Sequence, residues 1–251
     1  MSSKRVTRRL AVLLLVGVAG CGATAAAGEI GTGRLKARPH TPTATVTKGL
    51  SELGMSSPRD GLLYVPPSYR ADTPAAFVVL LHGAGQNAHV LMDPMRPLAD
   101  SLGLVLLAPE SRGSSWDVRY GDYAQDVDFI DAALAKVFAK VNVDSSRVSV
   151  AGFSDGASYA LSIGLINGDL FSRVAAFSPG FVGPGKPVGK PEIFVSHGTE
   201  DQILSIDRTS RVLVPRLKEA GYRVDYHEFR GRHGVNPELL RQAAAWLASK
   251  R

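Results

Sequence analysis

Residues 148–156 read Val148-Ser149-Val150-Ala151-Gly152-Phe153-Ser154-Asp155-Gly156. The first four residues predict a buried strand, and residues 157–165 directly behind the stretch predict a helix. Between them lies a Gly-x-Ser-x-Gly motif, in which a strand turns into a helix within one or two residues and exposes the serine hydroxyl. Side chains two positions before and after the serine would clash in so tight a turn, which accounts for both glycines. The stretch therefore predicts a strand–turn–helix unit that presents Ser154 as a nucleophile.

The rest of the chain repeats the alternation of strand and helix. Residues 61–65 predict a short strand that ends at Pro66-Pro67. Continuous apolar runs, typical of strands buried on both faces of a sheet, occur at residues 77–81, 104–108, 174–177 and 193–196. Helical spacing of apolar residues occurs at 127–138, where Asp126 is placed as the capping residue, and at 237–247. This alternation predicts an α/β fold with a mostly parallel central sheet flanked by helices and without a cap domain.

A nucleophilic serine needs a base and a group that orients the base. His233 lies in a glycine-flanked loop between the predicted strand at 224–229 and the last helix, where it can reach the carboxyl edge of the sheet. The loop after the strand at 193–196 carries two carboxylates, of which Asp201 is the first choice for the acid and Glu200 the alternative. The chain order Ser154, Asp201, His233 is the order expected for this architecture.

Two backbone amides are expected to bind the oxyanion of a tetrahedral intermediate. One is the amide of Asp155, directly after the nucleophile. The other is expected in the turn at 82–86, where Ala84 is favoured and Gly85 is the alternative. Trp116 and Asp117, in the loop after the strand at 104–108, are candidates for contact with the substrate.

Several other classes of site are not expected. The chain has a single cysteine, no His-x-x-x-His pair and no dense carboxylate loop, so neither a metal site nor a disulfide is predicted. No cofactor is expected, because the Gly-x-Gly at 83–85 lacks the third glycine and the lysine of phosphate-binding motifs. The formal net charge of +6 falls to +2 without the four basic residues of the first twenty, and no basic stretch predicts nucleic-acid binding.

The amino-terminal segment predicts export. Residues 1–9 are polar and basic, and residues 10–20 form an apolar run too short to span a bilayer as a mature helix, as in a signal peptide. Val18-Ala19-Gly20-Cys21 resembles the lipobox of bacterial lipoproteins, which implies lipidation of Cys21 and anchoring in a membrane; secretion or a periplasmic location is the alternative. Residues 1–20 are thus assigned to a signal peptide, 21–45 to the lipidated cysteine and a flexible tether, and 46–251 to a catalytic domain.

Four motifs together resemble the α/β-hydrolase superfamily, and within it the compact carboxylesterase/phospholipase and polyhydroxyalkanoate-depolymerase-like esterases. They are Leu81-His82-Gly83, the Gly-x-Ser-x-Gly at 152–156, His197-Gly198-Thr199-Glu200-Asp201 and Gly231-Arg232-His233. The resemblance implies a serine esterase that works through an acyl-enzyme. Many carboxylesterase relatives carry glutamine after the nucleophile, whereas this chain has Asp155, whose side chain is expected to point away from the oxyanion.

The substrate is expected to be an ester with a short or accessible acyl group. Residues 178–191 contain four glycines and four prolines, a composition that excludes the amphipathic helix of a lid. A polyester or an esterified polysaccharide is the preferred alternative substrate. A peptidase and a non-catalytic surface binding protein on the same scaffold are the less favoured alternatives.

Overall fold

The computed structural model describes residues 32–56 and 58–250. Within them, three strands come first, and strands and helices then alternate except for two successive strands, Arg173–Phe177 and Glu192–Gly198. The strands are β1 (Gly49–Glu52), β2 (Gly61–Val65), β3 (Ala75–Leu81), β4 (Val105–Pro109), β5 (Val143–Phe153), β6 (Arg173–Phe177), β7 (Glu192–Gly198) and β8 (Val224–Phe229). The helices are α1 (His89–Leu102), α2 (Gln125–Phe138), α3 (Asp155–Ile166), α4 (Ser210–Glu219) and α5 (Pro237–Ala248). Short 3-10 helices occur at Asp117–Tyr120 and Ile206–Arg208.

The eight strands form one sheet in the order β1-β2-β4-β3-β5-β6-β7-β8. All neighbours from β4 through β8 run parallel, and only β1–β2 and β2–β4 are antiparallel. The strand that leads to Ser154, β5, lies centrally between β3 and β6. Because the carboxyl ends of parallel strands meet at one edge, the loops after β3, β5, β6 and β7 lie close together there.

Helices cover both faces of the sheet. Phe77, Val79 and Leu81 of β3 pack on the face that carries α2, α3 and α4. Val78 and Leu80 point to the opposite face, which carries α1 and α5. Because both faces of the sheet are covered at its inner strands, such as β3, β4 and β6, these strands need apolar residues at successive positions, which is the pattern in the sequence. The predicted α/β fold is confirmed.

Two helices and one strand were not predicted. Helix α1 contains Pro94 and Pro97, and α4 contains Pro215, so the local sequence argued against both helices. Helix α1 is nonetheless amphipathic, with Leu91 and Met92 buried against the sheet. Tertiary burial therefore outweighs the local cost of proline in these helices.

The predicted tether is wrong for the part nearest the domain. Leu35 is buried at 2% exposure, and its amide donates to Asn167 Oδ1 at 2.8 Å. The Arg34 guanidinium makes two hydrogen bonds to Asp169, each of 2.8 Å. These partners lie more than 130 residues away in sequence, so the glycine- and threonine-rich local composition did not predict the contacts. The packed part of the chain begins before residue 46.

The signal peptide and Cys21 lie outside the described residues. Of the helices that the structure describes, none is long and apolar enough to cross a membrane.

Candidate active site

Ser154 lies in the turn between β5 and α3, with φ 56° and ψ −119°. This backbone conformation is strained for a residue with a side chain. Its amide donates to Phe177 O at 2.9 Å, which holds the turn against β6. A Cβ on Gly152 would lie 2.1 Å from Gly156 O, and one on Gly156 would lie 2.1 Å from Leu81 O. Both glycines are therefore required by close backbone contacts, as the sequence predicted.

His233 lies beside the serine. Its Nε2 is 2.9 Å from Ser154 Oγ, and its Nδ1 is 2.6 Å from Asp201 Oδ2. The imidazole also packs against the Phe153 ring, with centroids 5.0 Å apart. The loop that carries His233 approaches β7 so closely that a Cβ on Gly198 would lie 2.4 Å from Gly231 O. The structure thus brings the three predicted residues into one hydrogen-bonded chain.

Hydrogen bonds to both carboxylate oxygens hold the Asp201 side chain in place. Oδ1 accepts the amides of Ile203 and Leu204 at 2.9 and 2.8 Å, while Oδ2 faces His233. Burial alone would raise the pKa of Asp201, but the hydrogen bonds from His233 and the two amides outweigh burial and hold that pKa below its ordinary value. Asp201 is therefore ionised at neutral pH. The alternative acid, Glu200, is half-exposed and pairs with Arg230 instead.

A second histidine contacts the same carboxylate. His197 is fully buried, and its Nε2 lies 2.8 Å from Leu204 O and 3.1 Å from Asp201 Oδ2. Since both neighbours are acceptors, Nε2 carries the proton, and Nδ1 accepts from Ser210 Oγ at 2.7 Å. Burial lowers the pKa of His197, so the ring is neutral at neutral pH. The local sequence gives no signal for this contact between His197 and Asp201, because it depends on the fold of the loop that carries both residues.

The turn after β3 offers one free amide for an oxyanion. Gly85 N–H donates to Ser114 O at 2.6 Å, and Gly83 N–H donates to Gln86 Oε1 at 3.0 Å. Ala84 is exposed, and its amide has no acceptor within the described part of the chain. The Gly85 amide is therefore already bonded, whereas the Ala84 amide is available, and the role of Ala84 as oxyanion donor stays a prediction. The Asp155 amide is free by position, because the first residue of a helix has no helical carbonyl before it.

His82 holds this turn in place. Its Nδ1 donates to Gly83 O at 2.7 Å, and its Nε2 accepts from the Ser111 amide at 3.0 Å. Arg59 Nη2 also lies 3.1 Å from Nε2. Burial lowers the pKa of His82, so a neutral ring links the turn after β3 to the loop after β4. His82 therefore stabilises this turn through local hydrogen bonds.

The Asp155 side chain is turned toward the loop after β4. Its Oδ2 accepts from Ser115 Oγ at 2.7 Å and from Arg119 Nη1 at 2.5 Å. Neither Ser115 nor Arg119 was singled out in the sequence, since they lie about 40 residues before Asp155. The only local signal was the aspartate itself, a charge that must be neutralised if it is buried.

The prediction that Trp116 contacts substrate is wrong. Trp116 is 1% exposed, stacks on Tyr159 and donates its indole N–H to His82 O at 2.8 Å. Its ring is packed inside the core and its N–H is already hydrogen-bonded, so the side chain cannot reach a ligand. Asp117 is half-buried in the wall of a cleft of about 310 Å³, where its Oδ2 accepts the Asp126 amide at 3.0 Å. Its contact with substrate stays a prediction.

Asp126 does not cap α2, which corrects the sequence prediction. The capping position is Ala124, and Asp126 lies inside the first turn. Its buried carboxylate accepts the amides of Arg112 and Asp117 at 2.5 and 2.7 Å. Burial raises the pKa of Asp126 to about 6, because the ionised form loses solvation that these amides replace only in part. Asp126 therefore ties together the two ends of the loop that faces the site.

Residues 178–191 contain no helix, as predicted. Hydroxyl groups of α3 hold this segment instead: Ser158 Oγ accepts the Gly180 amide at 2.9 Å, and Ser162 Oγ accepts the Gly183 amide at 2.7 Å. Ser178, at the start of the segment, has φ 53° and donates to Gly234 O at 3.2 Å. The segment is thus fixed as an extended wall that also supports the loop of His233.

The sequence profile of the phospholipase/carboxylesterase family matches residues 123–250, slightly more than half of the chain. The chain belongs to this family. The match includes β5, α3 and the loops that carry Asp201 and His233. The resemblance inferred from the four motifs is confirmed.

Curated relatives of this carboxylesterase-family protein include two proteins named as esterases. A bifunctional acetylxylan esterase/xylanase of Neocallimastix patriciarum is 25% identical over 177 residues, which are 67% of this chain and 24% of that protein. A probable feruloyl esterase C of Aspergillus flavus is 26% identical over 157 residues, which are 59% of this chain and 57% of that protein. The chain thus spans about a quarter of the first relative and just over half of the second.

Solved structures share the fold of this carboxylesterase-family protein. Esterase PE8 superimposes with a TM-score of 0.62 at 24% identity, over 74% of this chain and 96% of that one. The fluorophosphonate-binding serine hydrolase F of Staphylococcus aureus gives a TM-score of 0.65 at 16% identity, over 81% and 100% of the two chains. These likenesses establish the α/β-hydrolase fold.

Proposed function

We propose that this protein is a serine esterase that hydrolyses carboxylic esters through an acyl-enzyme. The observation that carries the proposal is the hydrogen-bonded chain from Ser154 through His233 to the ionised Asp201, with distances of 2.9 and 2.6 Å. A strained turn exposes the serine oxygen, and the histidine is held in the tautomer that accepts a proton at Nε2. Membership of the phospholipase/carboxylesterase family supports the same chemistry.

The reaction follows from these contacts. Ser154 Oγ forms a bond to the ester carbonyl carbon while its proton passes to His233 Nε2, and the Ala84 and Asp155 amides bind the resulting oxyanion. The carbon–oxygen bond to the alcohol then breaks, and the alcohol leaves with the proton from His233. Water repeats both steps on the acyl-enzyme and releases the carboxylic acid. Each oxyanion donor contributes about 2.7–4 kcal/mol to lowering the barrier.

The preferred substrates are esters with short or accessible acyl groups. Ser154 is partly exposed, and the wall formed by residues 178–191 carries no helix that could close over it. Two large apolar side chains near the site are exposed. Ile203, two residues after Asp201, is 72% exposed, and Tyr120, in the 3-10 helix that also carries Arg119, is 71% exposed. A shallow apolar surface gains about 0.8 kcal/mol per methylene only for the few carbons that it can bury.

A panel of p-nitrophenyl esters from C2 to C16 tests this preference. We expect kcat/KM to be highest for short chains and to show no increase when a substrate passes its solubility limit. The matched control is a lipase with a known lid, assayed at the same concentrations. A maximum at C12 or longer, with activation above the limit, would contradict the open site.

An esterified polysaccharide is the second candidate substrate. The acetylxylan and feruloyl esterases among the relatives act, by their names, on such esters, and an open site would admit a polymer chain. Acetylated xylan and feruloylated arabinoxylan, compared with methyl acetate and methyl ferulate, separate the two cases. A polymer preference would appear as a higher kcat/KM per ester group on the polymer than on the methyl ester.

We also propose that residues 1–20 are removed on export and that Cys21 carries the lipid anchor. The lipobox-like sequence Val18-Ala19-Gly20-Cys21 supports this, and Cys21 is the only cysteine in the chain. Two or more acyl chains give stable membrane anchoring, whereas one gives only marginal binding. Mass spectrometry of the native amino-terminal peptide is expected to show a diacylglyceryl group on Cys21. An unmodified Cys21, or cleavage at another residue, would contradict the anchor.

A further inference from the structure

Asp155 has two groups with opposite effects on the proposed reaction. Its backbone N–H, at the first position of α3, is the donor expected to bind the oxyanion. Its carboxylate is only 9% exposed and lies a few bonds from that amide. A negative charge so close to a developing oxyanion raises the energy of that oxyanion, and the effect is stronger where water is excluded. A buried carboxylate after the nucleophile therefore needs a neutralising partner.

Arg119 provides that partner. Its Nη1 lies 2.5 Å from Asp155 Oδ2, and Ser115 Oγ donates to the same oxygen at 2.7 Å. The hydrogen bond and the charge of Asp155 raise the pKa of the Arg119 guanidinium, so the cation is retained at any pH at which the protein is folded. The pair spans 36 residues and joins the 3-10 helix after β4 to the start of α3.

Arg119 is not needed to hold its own segment. Trp116 and Val118, which precede it in the same segment, are buried at 1% and 4% exposure. The Trp116 indole donates to His82 O, and the Asp117 amide donates to the buried Asp126. Arg119 itself is half-exposed, and the hydrogen bond that it makes to Asp155 is directed at the residue behind the nucleophile. The main contact of Arg119 is therefore the ion pair with the Asp155 carboxylate, and its side chain contributes little to the packing of the loop.

We propose that Arg119 is a positioning residue of the oxyanion site. Its guanidinium neutralises the Asp155 carboxylate and keeps it turned toward Ser115, so that the Asp155 amide can bind a negatively charged oxygen. This inference rests on the proposed esterase function. A neutral residue at position 155, such as the glutamine of many related carboxylesterases, would need no such cation.

The experiment compares Arg119→Met in two backgrounds, with Asp155 and with Asp155→Gln. We expect R119M alone to lower kcat for p-nitrophenyl acetate by about tenfold or more, with KM changed less than about threefold, since the interaction acts on the transition state. The Ki of a trifluoromethyl ketone, whose adduct with Ser154 carries the same oxyanion, should rise by a similar factor. In the Asp155→Gln background, the same substitution should cost less than about threefold.

Arg70→Met is the matched control, because Arg70 forms an exposed ion pair with Asp72 near the opposite end of the sheet. It should leave kcat, Ki and the melting temperature unchanged. An equal loss of kcat in both backgrounds would mean that Arg119 only supports the loop and would overturn the inference, as would no loss in either. A wild-type protein that hydrolyses no ester would contradict the proposed function itself, and this inference with it.

Discussion

Ser154→Ala is expected to lower ester hydrolysis by about 10⁴-fold or more, because no other group can form the acyl-enzyme. The residual rate should exceed that of water by about 10³–10⁴-fold, since binding and the oxyanion amides remain. The variant should stay folded, because the backbone contacts of the turn, including Ser154 N–H to Phe177 O, do not involve the hydroxyl. Steady-state kinetics on p-nitrophenyl acetate, with circular dichroism to check folding, measure the effect.

Ser158→Ala is the matched control for Ser154→Ala. Ser158 lies one turn later in α3, and its hydroxyl donates to Ser154 O and accepts loop amides. Its loss should not abolish labelling by a fluorophosphonate, whereas Ser154→Ala should abolish it completely. Near-wild-type turnover, or persistent labelling, in folded Ser154→Ala would contradict the nucleophile assignment and the mechanism built on it.

Asp201→Asn is expected to lower kcat by about 10⁴-fold while leaving the fold intact. The two amides that bind Oδ1, from Ile203 and Leu204, would keep the asparagine oxygen in that place. The asparagine NH₂ group would then face His233 Nδ1 and donate to it. This forces the histidine proton onto Nε2, so the ring can no longer accept the proton of Ser154. His233→Ala should be at least as damaging, because it removes the base.

Glu200→Gln is the matched control, since Glu200 precedes Asp201 directly and carries the same charge. Its side chain is 52% exposed and pairs with Arg230 on the surface. We expect less than about a threefold change in kcat/KM, because exposed ion pairs contribute little. If Glu200→Gln proved the more damaging of the two substitutions, the acid would have to be reassigned to Glu200.

The sequence alone determined the fold class and the candidate residues of the triad. Runs such as residues 77–81 and the Gly-x-Ser-x-Gly at 152–156 depend on local rules: the period of side chains along a strand, and the space available in a tight turn. A nucleophile in that turn also restricts where the base and the acid can lie along the chain. These are properties of neighbouring residues, so they can be read without knowing the tertiary contacts.

Only the tertiary structure decided between residues that are adjacent in sequence. Ala84 and Gly85 are equally suited to a tight turn, and only the contact of Gly85 N–H with Ser114 O distinguishes them. Asp201 and Glu200 differ by the direction in which each side chain leaves the loop, and that direction depends on contacts with His233 and Arg230. One residue along an irregular loop changes the environment of a side chain from buried to exposed.

Contacts between residues far apart in the chain could likewise not be predicted from the sequence. The packing of Leu35, the burial of Trp116 and the pair between Arg119 and Asp155 join segments that are tens to more than a hundred residues apart. Local composition describes how a segment would behave alone. Which side chains it meets is decided when the sheet brings distant loops to one edge, and the energies of burial and charge pairing then select among residues that look equivalent in the sequence.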